Sequence, residues 1–105
     1  MTEIIEKIKQ QIAENAVILF MKGSPELPRC GFSAKAAQIL KACEVNFASV
    51  DVLENPEVRQ LLPQVSNWPT FPQLFINGEL IGGCDIMTEL YEQGELESML
   101  EKVKG

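Results

Sequence analysis

The chain has 105 residues, 46% of them hydrophobic, which suits a single small domain spanning residues 1–105 with an adequate core. Nine Lys and Arg against fifteen Asp and Glu leave a net charge of −6, and with no basic cluster to neutralise phosphates this excludes a nucleic-acid partner. No apolar run approaches the ~18 to 20 residues that span a bilayer, and the N-terminus lacks an apolar leader. The expectation is therefore a cytoplasmic protein with no membrane partner.

The absence of histidine removes Cys-His nucleophilic catalysis, Ser-His triads and every His-containing zinc site. Cys30, Cys43 and Cys84 lack the close pairing of a zinc ribbon, and an odd count in a reducing compartment points to reactive or packed thiols. A soft metal bound here needs ligands from a second subunit or an external thiol, because the chain cannot supply four thiolates.

In chain order, Thr2 is expected to cap a helix whose apolar positions Ile4, Ile5, Ile8 and Ile12 follow the 3.6-residue period, with Asn15 ending it. Ala16 to Met21 is an unbroken apolar run, as in a strand buried on both faces. A loop from Lys22 to Arg29 carries Gly23, Pro25 and Pro28, and a largely buried helix runs from Gly31 to about Cys43. Phe47 to Val52 alternates as a second strand. Asn55-Pro56 starts a helix with a capping side chain and proline at its first position, and Pro63 is expected to distort or shorten it. Two prolines bar Trp68 to Pro72 from a central strand. Gln73 to Ile76, the turn Asn77-Gly78 and Glu79 to Ile81 predict a hairpin with a type I′ turn. Cys84-Asp85 opens another helix, and after Gly94 a terminal helix carries Leu96, Met99, Leu100 and Val103. The order α-β-α-β-α-β-β-α-α gives an α/β fold, a four-stranded mixed sheet covered by helices.

Chemistry concentrates around Cys30-Gly31-Phe32-Ser33. Cys30 follows a proline-broken loop and precedes a helix, where unpaired N–H groups and the macrodipole favour a thiolate. Three residues on stands Ser33, so Cys30 has no neighbouring thiol with which to close a disulfide. Cys43, beside Leu40 on the apolar side of its helix, is read as core. Cys84 follows two glycines; its backbone N–H is expected to bind an anion, with the thiol a secondary participant. Lys22 ends the first strand, where open α/β sheets place their ligand crevice, and suits a carboxylate. A cis bond at Phe71-Pro72 would leave the Phe71 backbone free to pair with an extended peptide ligand, although trans is favoured, since only ~5% of X-Pro bonds are cis.

Together, Cys30-Gly31-Phe32-Ser33, Trp68-Pro69, Thr70-Phe71-Pro72 and Gly82-Gly83-Cys84-Asp85 resemble the monothiol glutaredoxins of the CGFS class, in particular the bacterial single-domain members. The resemblance covers almost the whole chain without departure at these motifs; variation falls at places such as Arg29 and the C-terminus.

The resemblance implies a thioredoxin-like fold and a glutathione site. Lys22 and Arg59 would hold the glycyl carboxylate, the Phe71 backbone beside cis-Pro72 would pair with the cysteinyl unit, and Cys84 and Asp85 would receive the γ-glutamyl end. It further implies a [2Fe-2S] cluster shared by a homodimer, each subunit giving the Cys30 thiolate and one bound glutathione thiol. The implied role is delivery to apo iron-sulfur acceptor proteins in cluster assembly and iron homeostasis, with a BolA-like protein as partner. The alternative is a glutathione-dependent thiol-disulfide oxidoreductase, of weak activity, with Cys30 as nucleophile.

Overall fold

The structure is a computed structural model that describes residues 2–104, the Lys104 side chain excepted. Its elements are α1 (Thr2–Glu14), β1 (Val17–Met21), α2 (Gly31–Ala42), β2 (Ala48–Asp51), α3 (Pro56–Ser66), β3 (Gln73–Ile76), β4 (Glu79–Gly82), α4 (Cys84–Glu92) and α5 (Glu95–Lys104). The order matches the one read from periodicity.

Every residue of β1 is buried. In the sheet order β2-β1-β3-β4, β1 pairs parallel with β2 and antiparallel with β3, and β3 pairs antiparallel with β4. Because side chains alternate across a strand, β1 feeds two cores. Val17, Leu19 and Met21 pack with Ala36, Ala37 and Leu40 of α2, Met87 of α4 and Leu96 and Leu100 of α5. Ile18 and Phe20 face the other way, onto Ile8 and Ile12 of α1, Leu61 and Leu62 of α3 and Phe75 of β3. Phe20 and Phe75 meet edge to face at 5.7 Å and 81°, a geometry that adds about 0.5–1.5 kcal/mol beyond burial. The result is a thioredoxin-like four-stranded mixed sheet flanked by helices.

The hairpin turn is as expected: Asn77 and Gly78 take φ of 53° and 84°, the left-handed pair of a type I′ turn. Elsewhere the tertiary structure edits the sequence reading. Ala16 lies outside β1, its carbonyl accepting the Asn77 N–H at 2.7 Å. Thr2 is itself the first residue of α1 and so is not the N-cap expected of it. Asn15 closes α1 by donating its side-chain amide to the Gln11 carbonyl at 2.8 Å. The second strand is trimmed to Ala48–Asp51.

Asn55 occupies the N-cap of α3 without a side-chain cap bond; its amide donates instead to the Asp51 carbonyl at 2.9 Å. Pro63 neither breaks nor shortens α3, which runs through to Ser66. Leu61 and Leu62, 3% and 0% exposed, anchor the helix to the core at that level. Burying two such side chains contributes about 3–6 kcal/mol, as much as an interior proline costs.

Candidate functional site

Beyond the C-terminal end of β1, residues 22–29 fold as a miniature hairpin. Gly23 and Pro28 form an antiparallel bridge, Ser24 and Leu27 exchange backbone hydrogen bonds, and the Arg29 N–H donates to the Lys22 carbonyl at 2.9 Å. Gly23 has φ of +92°, and a Cβ there would lie 2.5 Å from the Leu27 carbonyl oxygen, so no other residue closes this turn without displacing backbone. The hairpin delivers Cys30 to the N-cap of α2 in extended conformation, with φ −154° and ψ 138°.

Cys30 is partly exposed and makes no cap hydrogen bond as a neutral thiol. Its ionised form is favoured: the Ser33 N–H contributes most, burial opposes it, and the Phe32 N–H, the Ser33 hydroxyl and the Lys22 charge add to it. The net effect holds the Cys30 pKa below the ordinary cysteine value. Ser33 therefore does more than lack a sulfur. It is fully buried, and its Oγ accepts the Lys22 N–H at 3.0 Å, so one hydroxyl ties the end of β1 to the first turn of α2.

A cleft of ≈ 620 Å³ opens beside the thiol, within the size range of small-ligand sites. Its lining includes Lys22, Cys30, Arg59, Phe71, Pro72, Cys84 and Asp85, so one cavity gathers every site residue singled out from sequence. Lys22 and Arg59 bring two cations to it, from the end of β1 and from α3.

The Phe71-Pro72 bond is cis, as the resemblance implied and against the trans that X-Pro statistics favour. Neither the N–H nor the C=O of Phe71 has a backbone partner among the described residues. Cys84 starts α4 behind Gly83, whose N-cap position carries no side-chain bond, so the first N–H groups of α4, at residues that line the cleft, are unsatisfied by the helix. Cys84 is 7% exposed, and its thiol lies 4.0 Å from the Thr88 hydroxyl. Cys43 is 6% exposed in the apolar core.

Three further residues bear on the site; Gln73 and Asp51 were not singled out from the sequence as site residues, and Trp68 entered only through the Trp68-Pro69 motif. Gln73 is fully buried in β3 and donates its amide to the Trp68 and Thr70 carbonyls at 2.9 and 3.2 Å, fixing the segment before Phe71. A glutamine opening an otherwise apolar strand was the signal available for it. Trp68 lines the cleft with a buried Nε1 that has no partner among the described residues. Asp51, at the end of β2, accepts the Gly23 and Leu53 N–H groups on one oxygen at 3.0 and 2.9 Å. Burial pushes its carboxyl up, but the N–H groups of Gly23, Leu53 and Glu54 and the Arg29 charge outweigh this and hold its pKa below the usual value.

The model of the glutaredoxin family matches residues 17–81, from β1 through β4. This chain belongs to the glutaredoxin family. Glutaredoxin 4 of Escherichia coli K12 is 58% identical over 102 residues, covering 97% of this chain and 89% of that protein. Among solved structures, reduced apo GrxS14 of poplar superposes with a TM-score of 0.81 at 47% identity, covering 94% of this glutaredoxin and 91% of that chain. Buckwheat glutaredoxin, solved as a glutathione complex, shares the fold with a TM-score of 0.84 at 23% identity, over 96% and 90% of the two chains. With Ser33 in place of a second cysteine, and Glutaredoxin 4 proteins as relatives, this glutaredoxin is of the monothiol type.

Proposed function

We propose that this glutaredoxin, as a CGFS-class member, binds glutathione in the cleft and carries a [2Fe-2S] cluster as cargo between two subunits. The observation that carries the reading is Cys30: a partly exposed thiol with a lowered pKa, no resolving neighbour, and a peptide-sized cleft beside it. Among the described residues no group of three or more His, Cys, Asp or Glu side chains can hold a metal ion, so iron at Cys30 takes its remaining ligands from outside the chain. A glutathione thiol in the adjoining cleft, and the same pair from a second subunit, make four. Phe32, 63% exposed next to Cys30, offers apolar surface for that second subunit to cover.

The cleft divides naturally along a γ-Glu-Cys-Gly ligand. Lys22 and Arg59 take the glycyl carboxylate through charge-assisted hydrogen bonds, and the unpaired Phe71 N–H and C=O pair with the cysteinyl unit as an added strand. The N-terminus of α4, at Cys84 and Asp85, receives the γ-glutamyl carboxylate on its backbone N–H groups, while the Asp85 side chain suits the ammonium. Two borrowed ligands at a small interface make the cluster easy to release to apo iron-sulfur acceptors. The acidic surface, net −6, suits basic partners, among which a BolA-like protein is included, in the cytoplasm.

Anaerobic incubation with iron, sulfide and glutathione is expected to give a red-brown dimer that loses its colour when glutathione is removed. A second reading rests on the same lowered pKa. The Cys30 thiolate attacks the glutathionyl sulfur of a mixed disulfide, the protein thiolate leaves, and a second glutathione thiolate then releases Cys30 and forms glutathione disulfide. A colourless monomer that turns over a glutathionylated substrate briskly favours this second reading and sinks the first.

A further inference from the structure

We propose that Asp51 is a positioning residue that sets the distance between Lys22 and Arg59, and so the fit of the cleft to an anionic ligand. The parallel ladder between β1 and β2 ends at Met21 and Asp51, with the Val52 N–H donating to the Met21 carbonyl at 2.9 Å. The next rung would run from the Gly23 N–H to a main-chain carbonyl of β2. The Asp51 carboxylate intercepts it, taking Gly23 at 3.0 Å and the Leu53 N–H at 2.9 Å. Gly23 follows Lys22 directly, so this bond fixes the peptide that carries the first cation.

Interception also leaves the Asp51 carbonyl available for a different partner. It accepts both the N–H of Asn55, at 3.1 Å, and its side-chain amide, at 2.9 Å. The Asn55 carbonyl in turn accepts the N–H of Arg59 at 3.1 Å. One residue thus holds the support of Lys22 with its carboxylate and the first turn of the helix bearing Arg59 with its carbonyl. A main-chain rung at Gly23 would tie the loop to the strand alone. The side chain adds the link between loop and α3.

The proposal rests on the reading of Lys22 and Arg59 as an anion-binding pair, and the test separates the two. Asp51→Ala and Asp51→Asn carry the same charge, but only asparagine keeps an oxygen that reaches both N–H groups. Two quantities are compared in variants that melt above the assay temperature. One is the affinity for S-methylglutathione by titration; the other is the ratio of Cys30 alkylation rates with anionic iodoacetate and neutral iodoacetamide, which senses positioned positive charge without any glutathione. Loss of the acceptor for the Gly23 and Leu53 N–H groups is expected to weaken S-methylglutathione binding on the order of tenfold in Asp51→Ala and to lower the alkylation ratio, with Asp51→Asn restoring both. Equal values for the two variants in both assays overturn the proposal. If the parent does not bind S-methylglutathione, the glutathione reading fails while the alkylation ratio still judges Asp51. If Asp51→Ala does not fold, Asp51→Ser, whose hydroxyl falls short of the two N–H groups, is compared instead; failure of that variant to fold as well assigns Asp51 to stability alone and overturns the proposal.

Discussion

The helix starts of α2 and α4 open into the same cleft, each bears a cysteine, and neither is closed by a side-chain cap hydrogen bond. They differ by one position. Cys30 is the N-cap residue itself, still extended, and N–H groups of the first turn favour its ionised sulfur. Cys84 is the first helical residue; it is buried, with its sulfur 4.0 Å from the Thr88 hydroxyl. At the N-cap a thiol takes the place a Ser or Asp oxygen usually fills and is tuned by the helix; one residue later, in the proposed glutathione site, it is the backbone N–H that meets the ligand.

The largest test of this contrast replaces each sulfur by oxygen. Cys30→Ser is expected to abolish the red-brown species and all fast alkylation, whereas Cys84→Ser, which keeps the backbone N–H, leaves both in place. Absorption after anaerobic reconstitution and alkylation mass shifts give the answer. Equal losses in the two variants would break the asymmetry.

Ser33→Ala comes next in size. It removes the hydroxyl that favours the Cys30 thiolate and strands the Lys22 N–H, so the midpoint of the alkylation-rate profile against pH is expected to rise. Stability should fall by about 1–3 kcal/mol, the cost of a buried donor left unpaired, as denaturant titration will show. Lys22→Ala and Arg59→Ala are expected to weaken glutathione binding by roughly tenfold each, the scale of a lost charge-assisted bond. Lys22→Ala should in addition raise the Cys30 midpoint slightly, because its charge is the last of the contributions there, whereas Arg59→Ala should not.

The smallest effect is on stability against pH. A thiol with a folded pKa below its unfolded value stabilises the fold above the unfolded pKa, and that contribution is lost as pH falls through the folded pKa. The melting temperature of the parent relative to Cys30→Ser should therefore increase with pH across the interval from the lowered value up to the ordinary one. A difference that is flat with pH would mean that α2 does not tune the thiol.

Local patterns were legible wherever neighbouring residues decide the outcome. Period 3.6 marked α1 through Ile8 and Ile12, an apolar run marked β1, and Asn77-Gly78 marked a turn whose two positive φ angles those residues tolerate. Cys30 was legible as a helix-start thiol from Pro28 before it and the helix-forming run after it. Pro63 misled because propensity was outweighed by burial of Leu61 and Leu62. Asn55 misled because its amide found the Asp51 carbonyl instead of its own helix.

By itself, the amino-acid sequence determined the element order, the two-faced central strand, the absence of a second thiol beside Cys30 and the residue types available to a ligand. Residue statistics at Phe71-Pro72 favoured trans while the motif resemblance implied cis, which the structure bears out; only the tertiary structure decided that Ser33 joins Lys22 to the Cys30 turn, that Gln73 holds the Trp68 and Thr70 carbonyls, and that Asp51 reaches Gly23. The long-range ones share a physical reason. Donor and acceptor lie 11 residues apart in one case and 28 in another, and a hydrogen bond of that separation exists only after the sheet has brought the ends of β1 and β2 and the start of α2 together.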